Sequence, residues 1–172
     1  SWLGDIDDFT ELCEKANKEG IAIFLDGVFS HTGSDSKYFN KEGNYNTVGA
    51  YQSKSSPYYD WYCFEDYPEK YQSWWGFKSL PNVNEINPSY QDFIINNDNS
   101  VLKYWLKKGI KGWRLDVVDE VPDLFLKNFY KTLKQENSEA VVIGEVWEDA
   151  SHKVSYGRLR EYLNGYELDS AM

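Results

Sequence analysis

The stretch KGWRLDVVDE, residues 111–120, has the apolar alternation of a buried β-strand, yet it carries an arginine and an aspartate two positions apart. Side chains alternate across a strand, so Trp113, Leu115 and Val117 are expected on one face and Arg114 with Asp116 on the other. Charge on an interior face is costly unless it is paired. Taken alone, such a couple is more often a structural ion pair than a catalytic one. What the neighbouring strands deliver beside it decides between the two.

Upstream, IAIFLDGVF (21–29) reads as a second buried strand; downstream, AVVIGEVW (140–147) reads as a third, and a fourth begins at Glu167 and runs to Met172. Helical spacing separates them. Ile6, Phe9, Leu12, Cys13 and Ala16 recur on one face between Asp5 and Gly20, a second helix is expected from Pro88 to about residue 108, a third from Pro122 to Asn137, and a weaker one from Tyr156 to Asn164. Helices alternating with near-continuous apolar strands indicate a parallel sheet flanked by helices.

Two architectures of this kind compete, the open doubly wound sheet and the closed eight-fold barrel. No Gly-rich phosphate loop follows the first strand, which argues against a dinucleotide site. Asp26, Asp116 and Glu145 instead place acids at the C-terminal ends of three strands, where barrels build their active sites. The expected fold is therefore α/β, a partial (β/α)8 TIM barrel with a small inserted subdomain after its first strand. Residues 1–31 and 81–172 form the barrel segments and residues 32–80 the insert, a stretch without sustained period and too long for an ordinary loop. Its aromatics Tyr58, Tyr59, Trp61, Tyr62, Trp74 and Trp75 are expected mainly to pack the insert's own core, with one or two facing a ligand.

Composition narrows the partners. The chain has 172 residues and a formal net charge of -10, with lysines scattered and no basic stripe, so nucleic acid is not an expected partner. No apolar run is long enough to span a bilayer. Cys13 and Cys63, the only cysteines, have neither zinc nor redox spacing and read as free packing thiols. No targeting signal is visible, which weakly favours the cytoplasm.

Carboxylates from adjacent strand ends suit glycoside hydrolysis, whose retaining route needs two carboxyl groups about 5 Å apart, one as nucleophile and one as acid and then base. Arg114 beside Asp116 would keep a nucleophile ionised. Trp147, on the strand face of Glu145, is expected to raise that carboxyl's pKa by apolar cover, as an acid requires. At this point four motifs resemble the α-amylase family of glycoside hydrolases: FLDGVFSH its first signature, LPNVN the exit of the inserted domain, GWRLDVVDE the nucleophile strand and GEVW the acid/base strand. GWRLDV with GEVWEDA is most similar to the neopullulanase and cyclomaltodextrinase branch.

The resemblance implies Asp116 as nucleophile, Glu145 as general acid/base, Arg114 beside the nucleophile, and His31 as a sugar contact in the reacting subsite. It implies Asp119 and Glu120 lining the next subsite, and Asp26 in a structural place near the site. The substrate implied is an α-glucan oligosaccharide. No cofactor is required, and no metal ligand is assigned: Ser30 stands where the family's first signature usually has an asparagine that helps hold calcium, which weakens the case for calcium. The family's fourth signature, with its third carboxylate, is missing, so this chain is expected to be an inactive central piece that self-associates through open strand edges. Transglycosylation and a non-catalytic carbohydrate-binding relative are the rival readings.

Overall fold

The computed structural model describes residues 4–172; residues 1–3 of the first expected segment lie outside the described residues. In chain order the elements are α1 (Ile6–Lys18), β1 (Phe24–Gly27), β2 (Phe64–Asp66), β3 (Lys70–Tyr71), α2 (Pro88–Gln91), α3 (Val101–Lys107), β4 (Gly112–Leu115), α4 (Asp123–Glu136), β5 (Val141–Gly144), β6 (Val154–Ser155), β7 (Arg158–Leu159) and β8 (Ser170–Ala171). They divide between two compact units, one made of residues up to Gly27 together with Asp92–Met172, the other of Val28–Gln91. No helix among the described residues is long and apolar enough to cross a membrane.

The first unit is a four-stranded parallel sheet in the order β1-β4-β5-β8 with helices packed on it. Residues Phe24 to Gly27 pair in step with Gly112 to Leu115, and Gly112 to Leu115 with Val141 to Gly144. Gly112 is required by this closeness, because a Cβ there would run into the carbonyl of Val141 and the ring of Phe24. On the helix-facing side Trp113 and Leu115 are buried, and Trp113 meets Phe129 of α4 edge to face at 6.0 Å. Four residues of α4, Phe125, Leu126, Phe129 and Leu133, are fully buried, so this helix contributes much of the unit's apolar core.

Local chemistry sets the helix ends. Asp5 caps α1 by accepting from the backbone N–H groups of Asp7 and Asp8 at 2.9 and 3.2 Å, while its own N–H donates to Asp8 at 2.8 Å. The single helix expected from Pro88 to about residue 108 is instead broken. After α2 the chain makes a π-helical turn over Asp92–Asn96 and restarts as α3, with Ser100 accepting from the Lys103 N–H at 3.4 Å. The run Asn-Asn-Asp-Asn-Ser at 96–100 explains the break, since these side chains compete with the helix for its backbone partners.

The helix expected from Tyr156 to Asn164 is also absent. Here β6 and β7 pair as a hairpin, with Tyr156 and Gly157 both in the left-handed region at φ 53° and 73°, the conformation a two-residue hairpin turn demands.

In the second unit regular structure is sparse, and side chains carry the organisation. β2 and β3 form a short antiparallel hairpin with a register irregularity between Phe64 and Asp66. Phe39 is fully buried and meets Tyr62, Tyr71, Tyr51 and Phe64 at centroid distances of 4.8, 4.7, 5.6 and 5.9 Å. Beside it, buried Asn40 ties down the following loop: its Nδ2 reaches the carbonyls of Tyr45 and Thr47 at 3.0 and 2.9 Å, and its Oδ1 accepts from the Tyr45 N–H at 3.2 Å. Trp61 and Tyr62 are core residues as the composition suggests, but Trp75 is 63% exposed. It sits at φ 50° and stacks on Trp74 at 5.3 Å. Cys13 is buried and Cys63 exposed, so the second is not a packing thiol.

Candidate active site

The parallel register brings charge to one rim of the first unit. Asp26 of β1 lies opposite Arg114 of β4. One residue past β4 stands Asp116, and one past β5 stands Glu145. Arg114 joins all three acids: Nη1 donates to Asp26 Oδ1 and to Asp116 Oδ1, each at 2.7 Å, and Nη2 lies 2.9 Å from Glu145 Oε2. Burial pulls the Arg114 pKa down, but the hydrogen bonds to Asp26 and Asp116 more than offset it, so the guanidinium stays charged. The interior-face pair of the nucleophile strand is thus one part of a four-residue cluster. Among the described residues no group of His, Cys, Asp or Glu is arranged to hold a metal ion.

Glu145 does not have the environment expected for it. Its carboxyl is held below the ordinary range, first by the Val117 N–H, which donates to Oε2 at 3.0 Å, then by the Trp147 side chain and the Arg114 charge, while burial pulls the other way. The expected apolar cover from Trp147 is missing because β5 ends at Gly144, and Trp147, 48% exposed, hydrogen-bonds to the carboxyl instead of shielding it. The donor that dominates comes from an unusual backbone. Val117 sits at φ 37°, ψ 63°, a left-handed conformation that a β-branched residue adopts only at a cost of about 1–3 kcal/mol. That twist ends the strand alternation after Leu115 and aims the Val117 N–H at Glu145. The next N–H, of Val118, bonds the Glu145 carbonyl at 3.0 Å.

The remaining expected site residues are placed differently. Asp119, expected at an open subsite, is buried and its carboxylate is committed: Tyr162 Oη donates to Oδ1 at 2.7 Å, and Lys153 Nζ lies 3.5 Å from Oδ2. Its carboxylate therefore holds other residues and has little surface to offer a sugar. Glu120 closes the short 3-10 turn Val118–Glu120 and is only partly exposed. His31 belongs to the second unit, where Nδ1 is 3.0 Å from Ser30 Oγ and its ring lies 5.6 Å from that of Trp74.

The family model "Alpha amylase, catalytic domain" matches residues 2–172. The chain belongs to the α-amylase family. It is 44% identical to an amylopullulanase of Thermoanaerobacter thermohydrosulfuricus over 94% of this chain and 12% of that protein, and 31% identical to neopullulanase 2 of Thermoactinomyces vulgaris over 99% of this chain and 27% of that protein. Among solved structures, the ligand-free cyclic α-maltosyl-(1→6)-maltose hydrolase of Arthrobacter globiformis superposes with a TM-score of 0.80 at 26% identity, over 98% of this chain and 35% of that one. The chain therefore spans well under half the length of these relatives. As in the rest of the α-amylase family, its parallel sheet and helices are part of a TIM barrel, here four adjacent strands of it.

Three residues that shape the rim and the turn behind it, Val117, Arg160 and Tyr162, have no clear signal in the sequence. Alternation places Val117 on the strand's apolar face, and nothing in its identity signals a left-handed backbone. Arg160 and Tyr162 fell inside an expected helix; only the Tyr156-Gly157 pair, a plausible hairpin turn, could have pointed to another arrangement.

Proposed function

We propose that this chain is the central part of the catalytic domain of a glycosidase that cleaves α-glucosidic bonds in maltooligosaccharides, cyclodextrins or pullulan, with retention of configuration. The observation that carries the reading is the single guanidinium of Arg114 shared by Asp116 and Glu145 at 2.7 and 2.9 Å, which keeps two carboxyl groups together at the ends of neighbouring strands. The names of the relatives, an amylopullulanase and a neopullulanase, support the substrate class.

In this mechanism an Asp116 oxygen attacks the anomeric carbon as the glycosidic bond breaks, and Glu145 gives its proton to the departing oxygen. Glu145, now a carboxylate, takes a proton from water, whose oxygen displaces Asp116 and releases the sugar. The lowered pKa of Glu145 in the open site keeps it ionised, the form that the second, base step uses. A sugar bound over it removes water, which destabilises the charged form and raises the pKa for the first step.

The test is reducing-sugar release from maltoheptaose and β-cyclodextrin by the full-length protein that carries this segment, beside its Asp116→Asn variant. Release by the first and a loss of about ten-thousandfold or more in the second is the expected result. Binding of maltoheptaose by calorimetry without any product from the unmodified protein would overturn the reading in favour of a non-catalytic binder.

A further inference from the structure

The turn that follows the nucleophile strand is held from outside by one buried arginine. Arg160 is only 6% exposed. Its Nη1 donates to the Asp119 carbonyl at 3.0 Å, and its Nη2 donates to the Val121 carbonyl at 2.8 Å and the Val118 carbonyl at 3.4 Å. Nε lies 2.6 Å from Asp123 Oδ1 at the start of α4, and the guanidinium rests 4.7 Å from the centre of the Tyr162 ring. Three carbonyls of four successive residues therefore converge on a single planar fork, a geometry that lysine cannot supply.

The side chain of Asp119 is fixed from the same segment, by the Tyr162 hydroxyl at 2.7 Å and Lys153 at 3.5 Å, while Ser155 Oγ adds a bond to the Asp119 carbonyl at 2.9 Å. All these groups belong to residues 153–162, the β6–β7 hairpin and the strap after it.

What this strap holds is the strained step into the turn. Val117 keeps its left-handed backbone only if its surroundings over-determine it, and its N–H is the first hydrogen bond on the Glu145 carboxyl. On its other side Asp116 is tied through Arg114, with Asp26 sharing that cation.

We propose that Arg160, supported by Tyr162, is a positioning residue that fixes the 117–121 turn and thereby sets the Val117 N–H on Glu145 and the relative placement of Asp116 and Glu145. The proposal rests on the glycosidase reading for its kinetic consequence but not for its structural one.

The test uses the full-length protein with Arg160→Lys, which keeps a charge beside Asp123 but cannot reach three carbonyls, and with Tyr162→Phe, which removes only the hydroxyl on Asp119. Displacement of reacting groups by about 1 Å costs on the order of a hundredfold in rate. Arg160→Lys is expected to lower kcat by about ten- to a hundredfold with KM within about threefold, and Tyr162→Phe to act in the same direction more weakly. The alkaline limb of the kcat/KM profile is expected to move to higher pH in Arg160→Lys, because Glu145 loses the N–H that lowers its pKa, while Asp26, Arg114 and Asp116 still face it.

Hydrogen exchange of the peptide covering 115–121, followed by mass spectrometry, is expected to quicken in the same variant. Folded variants with unmodified kcat and an unmoved alkaline limb overturn the proposal. If the unmodified protein turns over no α-glucan, the glycosidase reading fails instead. The exchange measurement then decides alone, and unchanged protection of 115–121 overturns the positioning role.

Discussion

The two compact units keep polar and aromatic groups in order by opposite means. On the sheet of the first unit, backbone pairing does the placing: the in-step register of β1, β4 and β5 sets Asp26 beside Arg114 and delivers Asp116 and Glu145 one residue past their strands. In Val28–Gln91 the two-stranded hairpin is the only sheet and the bridges around it are isolated, so side chains do the placing, through rings gathered on Phe39 and a loop gathered on Asn40. A ladder fixes several residues at once through their backbones. A ring cluster depends on its central member.

That contrast predicts where each unit breaks. Phe39→Ala is expected to have the largest effect on stability, about 3–5 kcal/mol on the melting of the second unit, because Phe39 is fully buried against four other rings. Chemical denaturation followed by tryptophan fluorescence reads it. A loss below about 1 kcal/mol would show that the rings do not organise the unit.

A smaller effect is expected at Glu167, 1% exposed, whose carboxyl is pushed up first by burial and then by the Asp123 charge, with Lys127 3.5 Å away drawing it down. A carboxyl whose folded pKa is raised favours the folded state while protonated, and that contribution is lost as pH rises from the unfolded value through the folded one. Glu167→Gln should therefore gain on the order of 1 kcal/mol at pH 7 and nothing at pH 4, as read by thermal melts at both pH values. Equal gains at the two would discard the protonation argument.

The smallest effect is expected at Trp75: with 63% of its surface exposed, Trp75→Ala should change stability by no more than about 0.5 kcal/mol. A larger loss would mean that the Trp74–Trp75 stack supports the unit, extending the ring-cluster logic to its surface.

Much of the first unit was legible because its pattern is local. Alternation in GWRLDV, apolar runs in IAIFLDGVF and AVVIGEVW, and acids at their ends foretell a parallel sheet and single out Asp26, Arg114, Asp116 and Glu145. The caps of α1 are equally local, since Asp5 and Asp8 act within one turn. Legibility stops where a conformation depends on distant partners. Periodicity carried a helix through 96–100, although the asparagine-rich run there opposes it; it also carried one through 156–164, where Tyr156 and Gly157 make a hairpin turn.

The sequence by itself determined the fold class and the identity of the rim acids, because strand alternation and charge are properties of neighbours in the chain. Only the tertiary structure decided that Glu145 is held low in pKa, that Asp119 faces inward, and that Arg160 grips the turn beyond the nucleophile strand. Each of these follows from a hydrogen bond between groups 28 to 43 residues apart. No local pattern encodes such a bond, since its donor and acceptor meet only once the sheet has closed its register.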